Sequence, residues 1–230
     1  MNATVPAAAR PTLHLVDASL YVFRAWHSMP GDFLDADDHP VSAVHGFTRF
    51  LCELLERARP EHLMVAFDGS LTTSFRNAIY PPYKANREPA PPELKRQFAY
   101  CRALCDALGL VSLSHSDYEA DDLIATYAEQ AREAGANVTI VSSDKDLMQL
   151  VDDKVCMLDT IARPGQPPLR WMGPEEVMKK FGVTPDKVVD VQALCGDSVD
   201  NVPGVPGIGV KTAAELINTY GDLETLLSRA

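Results

Sequence analysis

Leu13-His14-Leu15-Val16-Asp17 is a short, mostly apolar run closed by a carboxylate, and the pattern returns twice. His62-Leu63-Met64-Val65-Ala66-Phe67 ends in Asp68, and Val138-Thr139-Ile140-Val141-Ser142-Ser143 ends in Asp144. Short apolar runs with β-branched or aromatic content read as strands buried on both faces. Helical periodicity lies between them. Val44, Phe47, Leu51, Leu54, Leu55 and Ala58 mark one apolar stripe, and Leu123, Ile124, Tyr127, Ala128 and Ala131 mark another. Alternation of strand and helix predicts an α/β fold with a mostly parallel central sheet flanked by helices. Such sheets bind ligands beyond the carboxyl ends of their strands, so three aspartates are expected at one edge.

Outward from these strands the pattern changes twice. From Gly69 to Pro92 it breaks into Pro81-Pro82, Pro89 and Pro91-Pro92, with Tyr80 and Tyr83 between. A connection this long inside a compact domain is either functional or a solvated loop. Between Gly69 and Cys105 six bases (Arg76, Lys84, Arg87, Lys95, Arg96, Arg102) face two acids (Glu88, Glu93), a basic window in a chain of net charge −11. Acids and bases are therefore segregated, as an acidic site beside a basic binding surface requires. A second strand-like run, Lys154–Ile161, leads into the turn-rich Arg163–Pro168, and past Trp171 the chain reads helical. Helix starts are expected at Gly173-Pro174-Glu175-Glu176 and Thr184-Pro185-Asp186. The expected organisation is a short disordered tail over 1–11, an α/β domain over 12–172 and a helical region built around a helix–hairpin–helix over 173–230. Five scattered cysteines without paired spacing suit reduced thiols in a cytoplasm, and no apolar run approaches the length of a bilayer span.

Glu119-Ala120-Asp121-Asp122 opens a helix that runs to about Ala134, where acids are common simply as caps. Asp144-Lys145-Asp146 follows the third strand, and Asp197 and Asp200 flank Ser198-Val199 in a loop. Each of these is ordinary turn chemistry in isolation. Together, Asp17, Asp68, Glu119, Asp121, Asp122, Asp144, Asp146, Asp197 and Asp200 hold most of the excess acidity. Packed carboxylates repel, and hard divalent cations relieve that repulsion. An all-oxygen set without His or Cys selects Mg²⁺ or Mn²⁺ over Zn²⁺. Two such ions, about 3.5–4 Å apart, are the arrangement that hydrolyses phosphodiesters.

Asn201-Val202-Pro203-Gly204-Val205-Pro206-Gly207-Ile208-Gly209-Val210-Lys211-Thr212-Ala213 is the most specific string. Gly207 and Gly209 permit a tight hairpin ahead of a helix running to about Tyr220. That helix start offers free N–H groups to a phosphate, and Lys211 adds a cation for the DNA backbone. A plain helix–turn–helix connection is the alternative. The hairpin carbonyls also offer a place for a monovalent ion such as K⁺.

These pieces, in this order, resemble the bacterial and phage 5′ nuclease family, relatives of the flap endonucleases, over about Leu13 to Leu227. The resemblance rests on Leu15-Val16-Asp17, Phe67-Asp68, Ser74-Phe75-Arg76, Tyr83-Lys84-Ala85-Asn86-Arg87, Tyr118-Glu119-Ala120-Asp121-Asp122, Asp144-Lys145-Asp146 and Gly196-Asp197-Ser198-Val199-Asp200-Asn201. It implies a structure-specific 5′ nuclease acting on DNA flaps, gaps or single-stranded ends, as a monomer of the bacterial cytoplasm, near the nucleoid in replication or repair. The Glu119–Asp144 group would serve one metal and Asp146, Asp197 and Asp200 the other, with Asp17 and Asp68 completing the cluster. A helical arch is implied over about 69–92, with Arg76, Lys84 and Arg87 at its base. Lys84 and Arg87 would clamp the reacting phosphate, Tyr83 would stack on a base, and Gly207, Gly209, Lys211 and Thr212 would grip the backbone. Family nuclease domains continue with further helices beyond the position of Ala230, so the sequence reads as a short stand-alone nuclease of the exonuclease IX type or as part of a longer chain. A non-catalytic junction-binding module is the second reading, and nine acids facing a polyanion argue against it. A ribonuclease of the acidic α/β type lacks the hairpin, and a dinucleotide enzyme needs a Gly-x-Gly-x-x-Gly that is absent after the first strand.

Overall fold

A computed structural model describes residues 11–70, 74–161, 165, 167 and 169–229. Residues 1–10 of the expected tail over 1–11 and most of the Arg163–Pro168 connector lie outside the described residues. Five parallel strands form the sheet: β1 (Thr12–Asp17), β2 (His62–Asp68), β3 (Val111–His115), β4 (Asn137–Val141) and β5 (Val155–Asp159). A sixth, β6 (Arg170–Met172), pairs antiparallel with β5 at one edge. The spatial order is β3-β2-β1-β4-β5-β6, so β1 sits in the middle with Asp17 opposite Ala66. Its last four residues are buried, as its apolar run predicts.

Side chains alternate across the sheet, and each face collects its own core. On one face α1 (Ala18–Ser28), α2 (Ser42–Ala58) and α4 (Pro92–Ala107) pack Phe47, Leu51 and Phe98 against Val16, Phe67, Val141 and Leu158. On the other, α5 (Ala120–Glu133) packs Ile124 and Ala128 against Leu15, Ile140 and Met157. The apolar cluster on this face runs on without a break into α6 (Pro174–Phe181), α7 (Val188–Cys195) and α8 (Val210–Tyr220), through Val177, Val191, Leu194 and Ile217. The helical region is therefore fastened to the sheet by burial of aliphatic side chains, each worth about 1.5–3 kcal/mol. A short α9 (Leu223–Leu227) follows, capped by Asp222. No helix among the described residues is long and apolar enough to cross a membrane.

The expected arch differs in form. Among the described residues, 74–91 carry only the four-residue helix α3 (Arg76–Ile79) and then consecutive turns. Five prolines between 81 and 92 explain this, since proline removes the N–H that a continuing helix needs. Residues 71–73 lie outside the described part.

Between α7 and α8 the chain makes a two-strand hairpin, β7 (Gly196–Asp197) against β8 (Val202–Pro203), before turning into α8. Its base is exceptionally close-packed. A Cβ on Gly204 would lie 2.2 Å from the Cys195 carbonyl carbon, and one on Gly196 would lie 2.2 Å from the Gly204 nitrogen. Gly196 also holds a φ of +72°, which other residues rarely adopt. Gly204→Ala should therefore cost about 1–3 kcal/mol or more by overpacking. Gly31→Ala, where nothing lies within 4 Å, should stay within about 0.5 kcal/mol. Urea unfolding of both variants checks the contrast, and equal midpoints would refute it.

Candidate metal centre and nucleic-acid interface

The carboxyl ends of β1, β2 and β4 bring acids to one place. Asp17 closes β1 and caps α1. Its Oδ1 accepts the Leu20 N–H at 3.1 Å, and its Oδ2 accepts the Ser142 hydroxyl at 2.9 Å. Asp68 closes β2, and its Oδ1 accepts the Ala120 N–H at 2.8 Å, tying that strand end to the first turn of α5. Asp144 stands three residues past β4. Ser142 Oγ accepts its N–H at 3.0 Å, and its own Oδ1 accepts the Asp146 N–H at 2.9 Å. Asp121, from the first turn of α5, joins these three. Among the described residues its carboxylate has no hydrogen-bond or ion-pair partner.

The electrostatics follow from this crowding. Burial, then the charges of Asp68 and Asp144, push Asp17 up to about 7 against its N–H and hydroxyl donors. Burial, then Asp17, Asp144 and Asp68, hold Asp121 well above the usual carboxylate range. Burial also raises Asp68 and, with Asp144 beside it, Asp146. Like charges held this close in a poorly solvated pocket are relieved either by a proton or by a cation.

A second group adjoins the first. Asp146 opens the 3₁₀ turn Asp146–Leu150, and Asp197 and Asp200 sit on the β7–β8 hairpin. One oxygen from each of these three lies within 4.8 Å of the others. Unlike Asp17, Asp68 and Asp121, this group makes ion pairs with protein cations among the described residues. Lys145 Nζ is 2.5 Å from Asp197 Oδ2 and 3.8 Å from Asp146 Oδ1. Lys84 Nζ is 2.9 Å from Glu119 Oε2 and 3.7 Å from Asp200 Oδ2, and Arg87 pairs with Asp200 Oδ1. Burial opposes ionisation of Asp197, but Lys145 and the Val199 N–H outweigh it and hold this acid below its usual range.

Asp122 is placed differently from the other acids. Arg76 grips it with both guanidinium nitrogens, at 2.8 and 2.7 Å, and its Oδ2 also accepts the Glu119 N–H as the far end of a capping box. Burial would raise Asp122, but these donors keep it low. The geometry makes Asp122 and Arg76 a brace for Glu119, with Arg76 3.7 Å from Glu119 Oε2, and leaves neither side chain free.

Tyr83 is also turned inward. Only 9% of it is exposed. Its hydroxyl lies 3.0 Å from Glu119 Oε2 and 3.1 Å from Asp200 Oδ2, giving one proton to the space between two carboxylates. The ring so placed does not present a face for base stacking, which corrects the expectation drawn from its surroundings in sequence. Of the basic window, Arg102 is likewise committed, donating to the Asp68 carbonyl at 2.6 Å.

Gly207 holds φ +82°, Gly209 is the N-cap of α8, and a Cβ at either would meet nothing within 4 Å. Their bareness therefore serves no internal packing. It leaves the start of α8 open, with Lys211 and Thr212 exposed on its first turn. Cys101 and Cys105 are buried inside α4, with thiols pushed up by burial to about 12 and about 11, which makes them inert.

The sequence matches two adjoining family descriptions: "5′-3′ exonuclease, N-terminal resolvase-like domain" over residues 12–182, and "5′-3′ exonuclease, C-terminal SAM fold" over 183–230. The chain belongs to the 5′-3′ exonuclease family. It is 39% identical over 216 residues to a 5′-3′ exonuclease of Aquifex aeolicus, covering 94% of this chain and 72% of that one. It is 50% identical over 225 residues to DNA polymerase I of Rhizobium leguminosarum, covering 95% of this chain but only 22% of the polymerase. The fold is similar to that of the bacteriophage T5 flap endonuclease solved with DNA and metal ions (TM-score 0.76, 22% identity, 95% of this chain and 78% of that one).

The raised carboxylates set a pH dependence. A group whose folded pKa exceeds its unfolded value favours folding below the unfolded value, near 3.8, and loses that contribution as pH rises through the folded one, about 7 for Asp17. Asp121→Asn removes one repelling charge. In EDTA at pH 8 it should stabilise the protein by about 1–2 kcal/mol, and the gain should shrink toward pH 4. Thermal unfolding at both pH values tests this, and a loss of stability at pH 8 would refute it.

Proposed function

We propose that this chain is a structure-specific 5′ nuclease that cuts DNA at 5′ flaps, gaps or single-stranded ends with two divalent cations, Mg²⁺ or Mn²⁺. The observation that carries the reading is a buried, oxygen-only acidic pocket, in which Asp17, Asp68 and Asp121 make no ion pair among the described residues, directly beside Lys84 and Arg87. The donor set fits hard cations: carboxylate oxygens, no His or Cys, and an acid that lacks any donor of its own. Asp17, Asp68, Asp121 and Asp144 would hold one ion, and Asp146, Asp197 and Asp200 the other, with Glu119 between the groups. Bound there, such ions lower the pKa of water and offset charge on the scissile phosphate.

The chain's own residues do the rest. Lys84 has a φ of +54° and its N–H donates to the Asp200 carbonyl at 2.9 Å, so its backbone is fixed against the hairpin. Its ammonium is thereby aimed at the pocket, where it would neutralise a phosphate oxygen as charge develops. Arg87, the more exposed of the two, would hold a second oxygen of the same phosphate or its neighbour. Arg76 and Asp122 would act by positioning Glu119. At a distance, the open N-terminus of α8 and Lys211 would bind the duplex backbone without reading sequence, since phosphate contacts carry none. The fold likeness to a flap endonuclease that binds DNA supports this use of the hairpin. The polymerase relatives support primer removal or repair as the setting.

The deciding assay is cleavage of a 5′-labelled flap duplex. Metal-dependent products near the junction are expected, with at least about a 100-fold loss in Asp144→Ala and none in EDTA. Binding of the flap without cleavage under every metal condition would favour a junction-binding module. Lys211→Ala should weaken binding evenly across sequences and reduce the salt slope by about 1. A sequence-selective defect would overturn the role given to the hairpin.

A further inference from the structure

The two acidic groups differ in one respect that function does not explain. Around Asp17, Asp68 and Asp121 no protein cation makes an ion pair among the described residues, whereas Asp146, Asp197 and Asp200 have a lysine among them. That lysine is Lys145, set between two of the acids in Asp144-Lys145-Asp146. Its backbone adopts a helical turn at the start of the 3₁₀ segment, which turns the side chain toward the β7–β8 hairpin. The Nζ reaches Asp197 Oδ2 at 2.5 Å and Asp146 Oδ1 at 3.8 Å. Gln192 donates to the same Asp146 oxygen at 2.5 Å, so that acid is fixed in place independently of the lysine.

We infer that Lys145 is a built-in counter-cation of the Asp146–Asp197–Asp200 group, competing with a divalent ion for the same oxygens and setting how much metal that group needs. This rests on the metal reading proposed above. An ammonium and a hard dication are alternative partners for one carboxylate pair, and both cannot sit against Asp197 Oδ2 without repulsion. Entry of the ion therefore requires Lys145 to withdraw. Its side chain is one-third exposed, and a long flexible stem lets it swing outward without unfolding anything. Asp17, Asp68 and Asp121 make no such ion pair among the described residues, Lys84 acting on them only from its place on Glu119, and this group should fill at lower concentration. A lysine of merely structural purpose would tie the hairpin to the 3₁₀ turn, but Asp197 already accepts the Val199 N–H, and the hairpin base is held by close glycine contact.

Titration of the whole chain with Mn²⁺ alone, without DNA, tests this, with bound ion counted by the loss of the free-Mn²⁺ paramagnetic resonance signal. Wild type should show a tighter and a weaker class of site. Lys145→Met should tighten the weaker class on the order of tenfold, as changes beside metal ligands commonly do. Lys145→Arg, which keeps the charge, should leave it near wild type. Lys145→Gln should behave like Lys145→Met and guards against a folding defect, with far-ultraviolet circular dichroism as the check. Asp197→Asn separates the inference from its premise. If it weakens Mn²⁺ binding but neither neutral Lys145 variant tightens it, the competition is refuted while the metal site stands. If no protein binds Mn²⁺, both fall together. Weaker binding in both neutral variants would make Lys145 a supporting residue and would also overturn the inference.

Discussion

Repulsion among carboxylates at one edge of a parallel sheet is the constraint around which this molecule is arranged. The sheet places Asp17 and Asp68 at adjacent strand ends, the start of α5 adds Asp121, and all three are short of solvent. Left alone, such a set disfavours its own ionised form. The fold tolerates it because the centre of the sheet beneath is buried and its strands cannot separate: Leu15, Val16, Val65, Ala66, Ile140 and Val141 are all inaccessible to water. Stability from two apolar cores thus offsets a strained electrostatic edge, the usual exchange at sites built for chemistry.

The second constraint is how a distant part of the chain joins that edge. The hairpin between α7 and α8 delivers Asp197 and Asp200 across a separation of more than fifty residues from Asp144, and three backbone-directed contacts fix it. Lys84 N–H donates to the Asp200 carbonyl, Asn86 Nδ2 donates to the Ser198 carbonyl at 3.1 Å, and Asn201 Nδ2 donates to the Pro82 carbonyl at 2.7 Å. The proline-rich segment and the hairpin therefore hold each other. The same connection that ends in the second acidic group continues directly into Gly207, Gly209 and α8. A DNA backbone seated on α8 would accordingly be in fixed register with the acids, because fewer than ten residues separate Asp200 from Gly209.

Much of this was legible in sequence because it depends on local pattern. Buried strands announce themselves as apolar runs, and the helix starts at Pro174, Pro185 and Gly209 followed cap and proline rules. The sheet edges were not legible. β3 is Val-Ser-Leu-Ser-His, half polar because its flank is exposed, and β6 is three residues with Trp171 facing water. At the site, residue type showed which acids belong together but not which cation each one meets. Gln192, Ser142 and Lys145 carry no local signal for their partners, which lie far along the chain or beyond a turn. Burial of Tyr83 was hidden for the same reason: a tyrosine among prolines and bases has the composition of a stacking loop, and only the tertiary position of Glu119 and Asp200 turns its hydroxyl inward.

Lys84, Arg87 and Lys145 neutralise the pocket from its rim, while Arg76 is consumed by Asp122. The first three each pair through one nitrogen and are at least partly open to water, where an ion pair is worth little. Arg76 pairs through two parallel hydrogen bonds to an acid already held by the helix start, which is far harder to exchange. A polyanion approaching this rim meets three cations that can change partners at small cost and one that cannot. The division between mobile and fixed charge is set by geometry, one nitrogen against two, and it separates the residues fit to touch phosphate from the one that holds the scaffold beneath them.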